Sequence, residues 1–338
     1  QTSTNASDNS PGLMRHSKGR YSGSEPHMPQ CDCERVSRNF FSRTLMSVFS
    51  YERTKTCIIA QNWKKLCRVP ANAKQIYSDI LNSPFDGLSY EQSLHQIELD
   101  LNRTYPDERY FSDSGPGQGA LRRVLSAFAK YDTQLGYVQG MNFIIGALLW
   151  HATEEDAFWI FVSLIEDYEL RDNYMPRLPG LNKHAQMIEI LVLEYLPALH
   201  FHFVEHRVLV EMYATDWCFS LFGSVVPIKE LAPIYDKFFK EGWIFFYKIV
   251  LVILKRLEKV LLLQSETGEI LSPLKPSHQS QSHCKKFLDS LKVGREELDW
   301  STLSMKALKV QLDAPRIHFM LKHFNPETSQ FCLNYRST

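Results

Sequence analysis

"HQIELDLNRTYPDERYF", residues 95–111, begins as an ordinary amphipathic helix and ends in a problem. Leu94, Ile97 and Leu101 fall at i, i+3 and i+7, one face of a helix. Asp100 and Arg103 stand three residues apart near its end, and Pro106 stops it. A pair at that spacing steadies a helix by only about 0.2–0.5 kcal/mol. A permanent cation at a helix end that turns into a loop is either this small local device or a group held out for a partner. Arg103 taken alone does not decide between them.

The rest of the chain reads as helical too. Ser89 with Gln92 has capping-box spacing, predicting a helix start at Ser89. Leu121, Val124, Leu125 and Phe128 repeat a helical face after "GPGQG" (115–119), which reads as a flexible connector. Thr153, followed by Glu154, Glu155 and Asp156, has a capping hydroxyl and acids where the helix dipole favours them. Pro179-Gly180 breaks the chain before the next helix, and Asp216 is placed to cap "WCFSLFG". "FFYKIVLVILKRLEKVLLL" (245–263) is a long apolar helix with its charges on one side. No sustained strand alternation and no 20–50-residue repeat is visible. The expected class is all-α.

The pattern divides the chain. Residues 1–35 are a polar, basic arm of disordered composition. Residues 36–64 form a lead-in helical segment, 65–265 the main domain, 266–283 a polar linker, and 284–338 a helical extension. A first residue other than Met reads as a fragment or processed chain, and no signal peptide stands out.

Composition narrows the function. The 338 residues carry 38 basic and 38 acidic side chains. Residues 1–70 have 11 basic and 5 acidic, net +6, whereas 71–270 have 17 and 27, net −10. An acidic centre argues against nucleic acid as a partner. The basic arm leaves room for peripheral contact with an acidic membrane. The longest uncharged stretch, 133–153, carries Gln, Asn, His and Gly, and its apolar run 143–150 is too short to span a bilayer. Seven scattered cysteines without a secretory signal suggest reduced thiols and a cytoplasmic location.

Most motifs of self-contained catalysis fail on inspection. "GPGQG" lacks the Lys-Ser/Thr of a phosphate loop and follows no strand. Cys31 and Cys33 are too close and too isolated for a structural zinc site. "HFVEH" (202–206) matches H-x-x-E-H, which would put His202 and His206 on one face with Glu205 as base. That chemistry needs a third ligand, and Phe201, Phe203 and Val204 suit an ordinary packed helix, so no metal is expected. "LGYVQGMNF" (135–143) sets Gln139 and Asn142 at the mouth of the apolar run. Buried amides are costly unless paired. Gln139 either binds loose backbone groups at a helix start or faces a partner across a rim.

Taken together, Ile97-x-x-Asp100-x-x-Arg103 and, some thirty residues on, Tyr137-Val-Gln139 resemble the paired signatures of the TBC domain, the Rab GTPase-activating family. "DAFWIFVSLIE" (156–166), "LPGL" (178–181), "LPALHFHF" (196–203), "ATDWCFSLFGSVVP" (214–227) and "PIYDKFFKEGW" (233–243) resemble further blocks of that family in order. The resemblance covers about residues 65–265 and implies an all-helical domain acting in trans. It implies that Arg103 enters the nucleotide pocket of a GTP-bound Rab as an arginine finger. Gln139 would position the attacking water, Asp100 would orient Arg103, and Tyr137 would hold the glutamine loop. GTP and Mg2+ would be carried by the partner, so no cofactor and no nucleotide hydrolysis of its own are expected. Endomembrane recruitment and a role in vesicle trafficking follow from the same resemblance. The chain departs from the family at the domain start, where Arg68 replaces a Gly and Lys74–Tyr77 lacks the usual Arg and Trp. That departure keeps an alternative open: a TBC-fold scaffold that binds a GTPase without accelerating it.

Overall fold

A computed structural model describes residues 56–84, 87–112, 115–275, 287–292 and 298–325, with Thr328 and the pair 330–331. The arm at 1–35, with Cys31 and Cys33, lies outside the described residues, as do parts of the predicted linker and extension. Fifteen helices are used below: α1 Ile58–Lys64, α2 Ala73–Asn82, α3 Leu88–Leu101, α4 Pro116–Tyr131, α5 Met141–Leu149, α6 Glu154–Glu166, α7 Arg171–Tyr174, α8 Pro179–Tyr195, α9 Pro197–Glu205, α10 Glu211–Ser220, α11 Ala232–Glu241, α12 Trp243–Leu261, α13 Thr267–Leu271, α14 Trp300–Leu308 and α15 Ala314–Lys322. Among the described residues the β structure is one antiparallel two-residue pair, Phe324–Asn325 with Gln330–Phe331. The fold is all-α, as the periodicity predicts. No described helix is long and apolar enough to cross a membrane.

The short helix α5 is the axis of the site-bearing half. All nine of its residues are buried, and Asn142 is the one polar side chain among them, the signature of a helix enclosed by others. α4 packs against α2, α3, α5 and α6, and α10 packs on α5 and α8. Each α4 residue predicted for one face, Leu121, Val124, Leu125 and Phe128, is at most 1% exposed. In the other half α12 packs against α8, α11 and α14. α14 is pinned there by Trp300, which is fully buried.

Residues 58–64, assigned above to a lead-in segment, pack into the core. Trp63 stacks on Phe239 at 5.7 Å and donates its indole N–H to Asp236 at 2.6 Å. The atypical start of the domain is also anchored. Tyr77 is buried against Phe158, with ring centroids 5.1 Å apart, and its hydroxyl donates to Glu154. Arg68 is exposed and pairs with Asp167 at 3.2 Å. The Lys130 ammonium donates to the carbonyls of Ile80, Leu81 and Ser83, closing the end of α2 where cations suit the helix dipole.

Three local predictions need correction. α3 starts at Leu88 with Gly87 as its cap, so Ser89 lies inside the first turn and forms no capping box. Asp216 is in the middle of α10, not at its start. "GPGQG" is no flexible connector: Pro116 opens α4, and an added Cβ at Gly115 would sit 2.3 Å from the Tyr110 carbonyl. Gly115 and Gly117 leave room for the Tyr110 backbone and ring, which approach too closely for a side chain. The cap at Thr153 forms as predicted, accepting from the Asp156 N–H at 3.3 Å.

Candidate functional site

α3 carries Asp100 into the interior and Arg103 out of it. Asp100 is in the last turn, on the same side as buried Ile97 and Leu101. The helix ends at Leu101, and Arg103 emerges two residues on. Its guanidinium donates to Asp100 Oδ1 at 2.6 Å, the cation 44% exposed and the carboxylate 5%. Burial fixes the anion, so the anion fixes the cation. The chain then turns sharply at Tyr105, whose φ of +49° is uncommon for a residue with a side chain. Two bonds hold that turn: the Tyr105 hydroxyl donates to the Phe143 carbonyl at 2.9 Å, and the Thr104 hydroxyl donates to the Asp100 carbonyl at 2.6 Å.

The loop between α4 and α5 approaches the same carboxylate from the other side. It starts at Asp132, which accepts the backbone N–H groups of Gln134 and Leu135 and is itself paired to Arg171. Gly136 follows with φ +60°, and a Cβ there would lie 2.7 Å from Ser93 Oγ. The Tyr137 N–H donates to that same Ser93 oxygen at 3.2 Å. The buried Tyr137 hydroxyl donates to Asp100 Oδ2. Burial first, then this bond, pushes the hydroxyl far above its usual range, so it remains a donor near neutral pH.

Gln139 comes two residues later and is exposed. Its amide meets no partner among the described residues. The reading in which it ties up loose backbone groups is therefore not what is seen. The backbone beneath it is rigid: Gly140 has φ +107°, and a Cβ there would be 2.8 Å from the Phe219 carbonyl. α5 then begins, with Asn142 fully buried.

Two of the predicted residues, Arg103 and Tyr137, thus meet at the carboxylate of a third, Asp100. Asp100 takes Arg103 on one oxygen and Tyr137 on the other, and Tyr137 leads directly into Gln139. The arrangement presents a planar, permanently charged donor and a neutral amide from adjoining rims. Such a pair can stabilise anionic oxygens and orient a water without changing protonation state. Sequence reasoning undervalued Thr104 and Asn142, both fully buried; the one usable signal was a polar amide opening an otherwise apolar helix.

The H-x-x-E-H residues also come together. Donor atoms of His202, Glu205 and His206 lie within 4.8 Å of one another at the end of α9, and the two imidazoles are 4.4 Å apart. The packed-helix reading of their neighbours holds only for Phe203, since Phe201 and Val204 are 64% and 60% exposed.

The sequence model of the Rab-GTPase-TBC domain matches residues 57–262. "Ecotropic viral integration site 5 protein homolog" of Homo sapiens is 29% identical over 269 residues, 75% of this chain and 32% of that protein. "Rab GTPase-activating protein eat-17" of Caenorhabditis elegans is 31% identical over 263 residues, 78% of this chain and 27% of that protein. The chain spans about a third or less of the length of these relatives. The crystal structure of the Ypt/Rab-GAP domain of Gyp1p superposes with a TM-score of 0.55 at 18% identity, over 74% of this chain and 80% of that one. That last likeness is one of fold.

Proposed function

The chain belongs to the Rab-GTPase-TBC domain family, and on that premise we propose that it is a GTPase-activating protein for a GTP-bound Rab-family GTPase. Arg103 and Gln139 are its two fingers in trans. The observation that carries this reading is the shared carboxylate of Asp100, which ties an exposed guanidinium to the loop of an exposed amide. A finger must be exposed and held in place: the Arg103 guanidinium is steadied by Asp100 yet 44% exposed, and the Gln139 amide is exposed on a closely packed loop.

In phosphoryl transfer, negative charge spreads over the phosphate oxygens as the bond to the leaving group loosens. Arg103 donates to those oxygens with a charge that needs no proton transfer. Gln139 accepts from the attacking water through its carbonyl and donates through its amide, holding the water in line. Asp100 keeps the guanidinium at the rim, and Tyr137 keeps the glutamine loop against Asp100. The GTP and Mg2+ are carried by the partner. The setting this implies is the cytoplasmic face of endomembranes, with vesicle trafficking as the process regulated.

The test is single-turnover GTP hydrolysis by a panel of Rab-family GTPases, with the wild type, Arg103→Ala and Gln139→Ala. At least one GTPase is expected to respond, and Arg103→Ala to lose roughly 10²-fold or more of the acceleration. Full acceleration by Arg103→Ala would remove the finger assignment and leave the family intact. Binding to a GTPase with no acceleration would replace this reading with that of a scaffold.

A further inference from the structure

Arg103 and Gln139 belong to segments some thirty-five residues apart, and a second link joins them beneath Asp100. Asn142 is 0% exposed, and both ends of its amide are used. Its Nδ2 donates to Thr104 Oγ1 at 2.7 Å, and its Oδ1 accepts from the Gly140 N–H at 3.1 Å. Thr104 is the residue after Arg103, and Gly140 the residue after Gln139. Thr104, also 0% exposed, passes the link on by donating to the Asp100 carbonyl at 2.6 Å. The amide therefore spans the gap between the residues that follow the two fingers, with both Asn142 and Thr104 fully buried.

We propose that Asn142, acting through Thr104, is a positioning residue that sets the Arg103 and Gln139 backbones relative to each other. The proposal rests on the functional reading above and deepens it. Asp100 controls where the guanidinium points. Asn142 controls how far apart the two finger-bearing segments lie. An amide suits this role because it donates on one side and accepts on the other in a fixed plane. A buried Ala, Leu or Asp at 142 would satisfy one neighbour at most. The α5 helix gives the amide a rigid mount, every one of its residues being buried.

A purely structural asparagine would also be buried and bonded, so stability alone does not decide. The test uses Thr104→Val, which keeps the shape of the side chain and removes its oxygen, and Thr104→Ser, which keeps the oxygen. Single-turnover hydrolysis by a responsive Rab-family GTPase is measured at saturating activator. Affinity is measured separately, with the same GTPase loaded with a non-hydrolysable GTP analogue. The expected result for Thr104→Val is a saturating rate lower by about 10- to 100-fold, the cost of a small misplacement of reacting groups, with affinity changed less than about twofold. Thr104→Ser is expected to return most of that rate. Because the clamp acts through Gln139, the loss from Thr104→Val should also shrink in a Gln139→Ala background, as it does for residues that act as a unit.

A folded Thr104→Val of unchanged saturating rate overturns the proposal. So does a loss confined to affinity, or one that multiplies in full with Gln139→Ala. If Thr104→Val fails to fold, Asn142→Ala and Asn142→Gln take its place with the same readouts. A wild-type chain that accelerates no GTPase defeats the functional reading, and the clamp falls with it. A wild type that is active beside an equally active Thr104→Val defeats the clamp alone.

Discussion

Arg103 and Gln139 are both exposed, yet they are held in opposite ways. Arg103 is held by its side chain: a buried carboxylate takes its guanidinium at 2.6 Å. Gln139 is held through its backbone, between Gly136 at φ +60° and Gly140 at φ +107°, and its amide is left unengaged. The chemistry of each group explains the difference. A long, flexible cation loses much rotamer entropy on ordering, and a charged partner offsets that loss. An amide that must both accept and donate would be spent by any partner it had, so its direction is set from beneath. On the proposed function, Arg103 should therefore be sensitive to charge and Gln139 to a single added carbon.

The largest effect is expected from the carbon. In Gly140→Ala the new Cβ meets the Phe219 carbonyl at 2.8 Å, and φ +107° is strained for any L side chain. The carbonyl is not free to retreat, because it also accepts the Tyr174 hydroxyl at 2.7 Å. Denaturant unfolding should show a loss of about 1–3 kcal/mol for such a backbone position. The single-turnover rate should fall to that of Gln139→Ala. An alanine at 140 with native stability and native rate would break the comparison, because it would mean that Gln139 is not set by its backbone.

A smaller effect is expected from the charge. Asp100→Asn keeps an oxygen for the Tyr137 hydroxyl and removes the anion opposite Arg103. A hydrogen bond to a charged group contributes about 1.5 kcal/mol or more, which is roughly tenfold in rate. The saturating rate of Asp100→Asn should fall by about that factor, with the Gln139-dependent part intact. If the Gln139-dependent part is lost instead, Tyr137 depends on the carboxylate charge and the two holds are one.

These two supports were not equally visible in the sequence. Asp100 and Arg103 share one helix, so their spacing of three announces that they meet. Gly136 and Gly140 could be seen, but the reasons for them, Ser93 Oγ and the Phe219 carbonyl, come from α3 and from the last turn of α10. Such tertiary close approaches leave no mark in local spacing. The same holds for Thr104 and Asn142, which meet only because α3 and α5 pack together. The helices were legible wherever periodicity carried them, as in α4 and α12. The starts were less so: Ser89 and Asp216 have the chemistry of caps but lie within helices, α10 running through buried Tyr213 and Ala214 before it reaches Asp216.

The smallest effect should come from a cap that did form, and it separates stability from positioning. Thr153 opens α6, accepting from the Asp156 N–H, with Glu154, Glu155 and Asp156 in the first turn. It makes no hydrogen bond to Arg103, Asp100, Tyr137 or Gln139. Thr153→Ala should cost about 1 kcal/mol in denaturant unfolding and leave the single-turnover rate unchanged. Asp100→Asn should do the reverse, moving the rate by more than its stability accounts for. If Thr153→Ala slows hydrolysis as much as Asp100→Asn, the rim responds to overall stability rather than to its own supports. The contrast between a residue held by charge and one held by its backbone would then have no consequence for the rate.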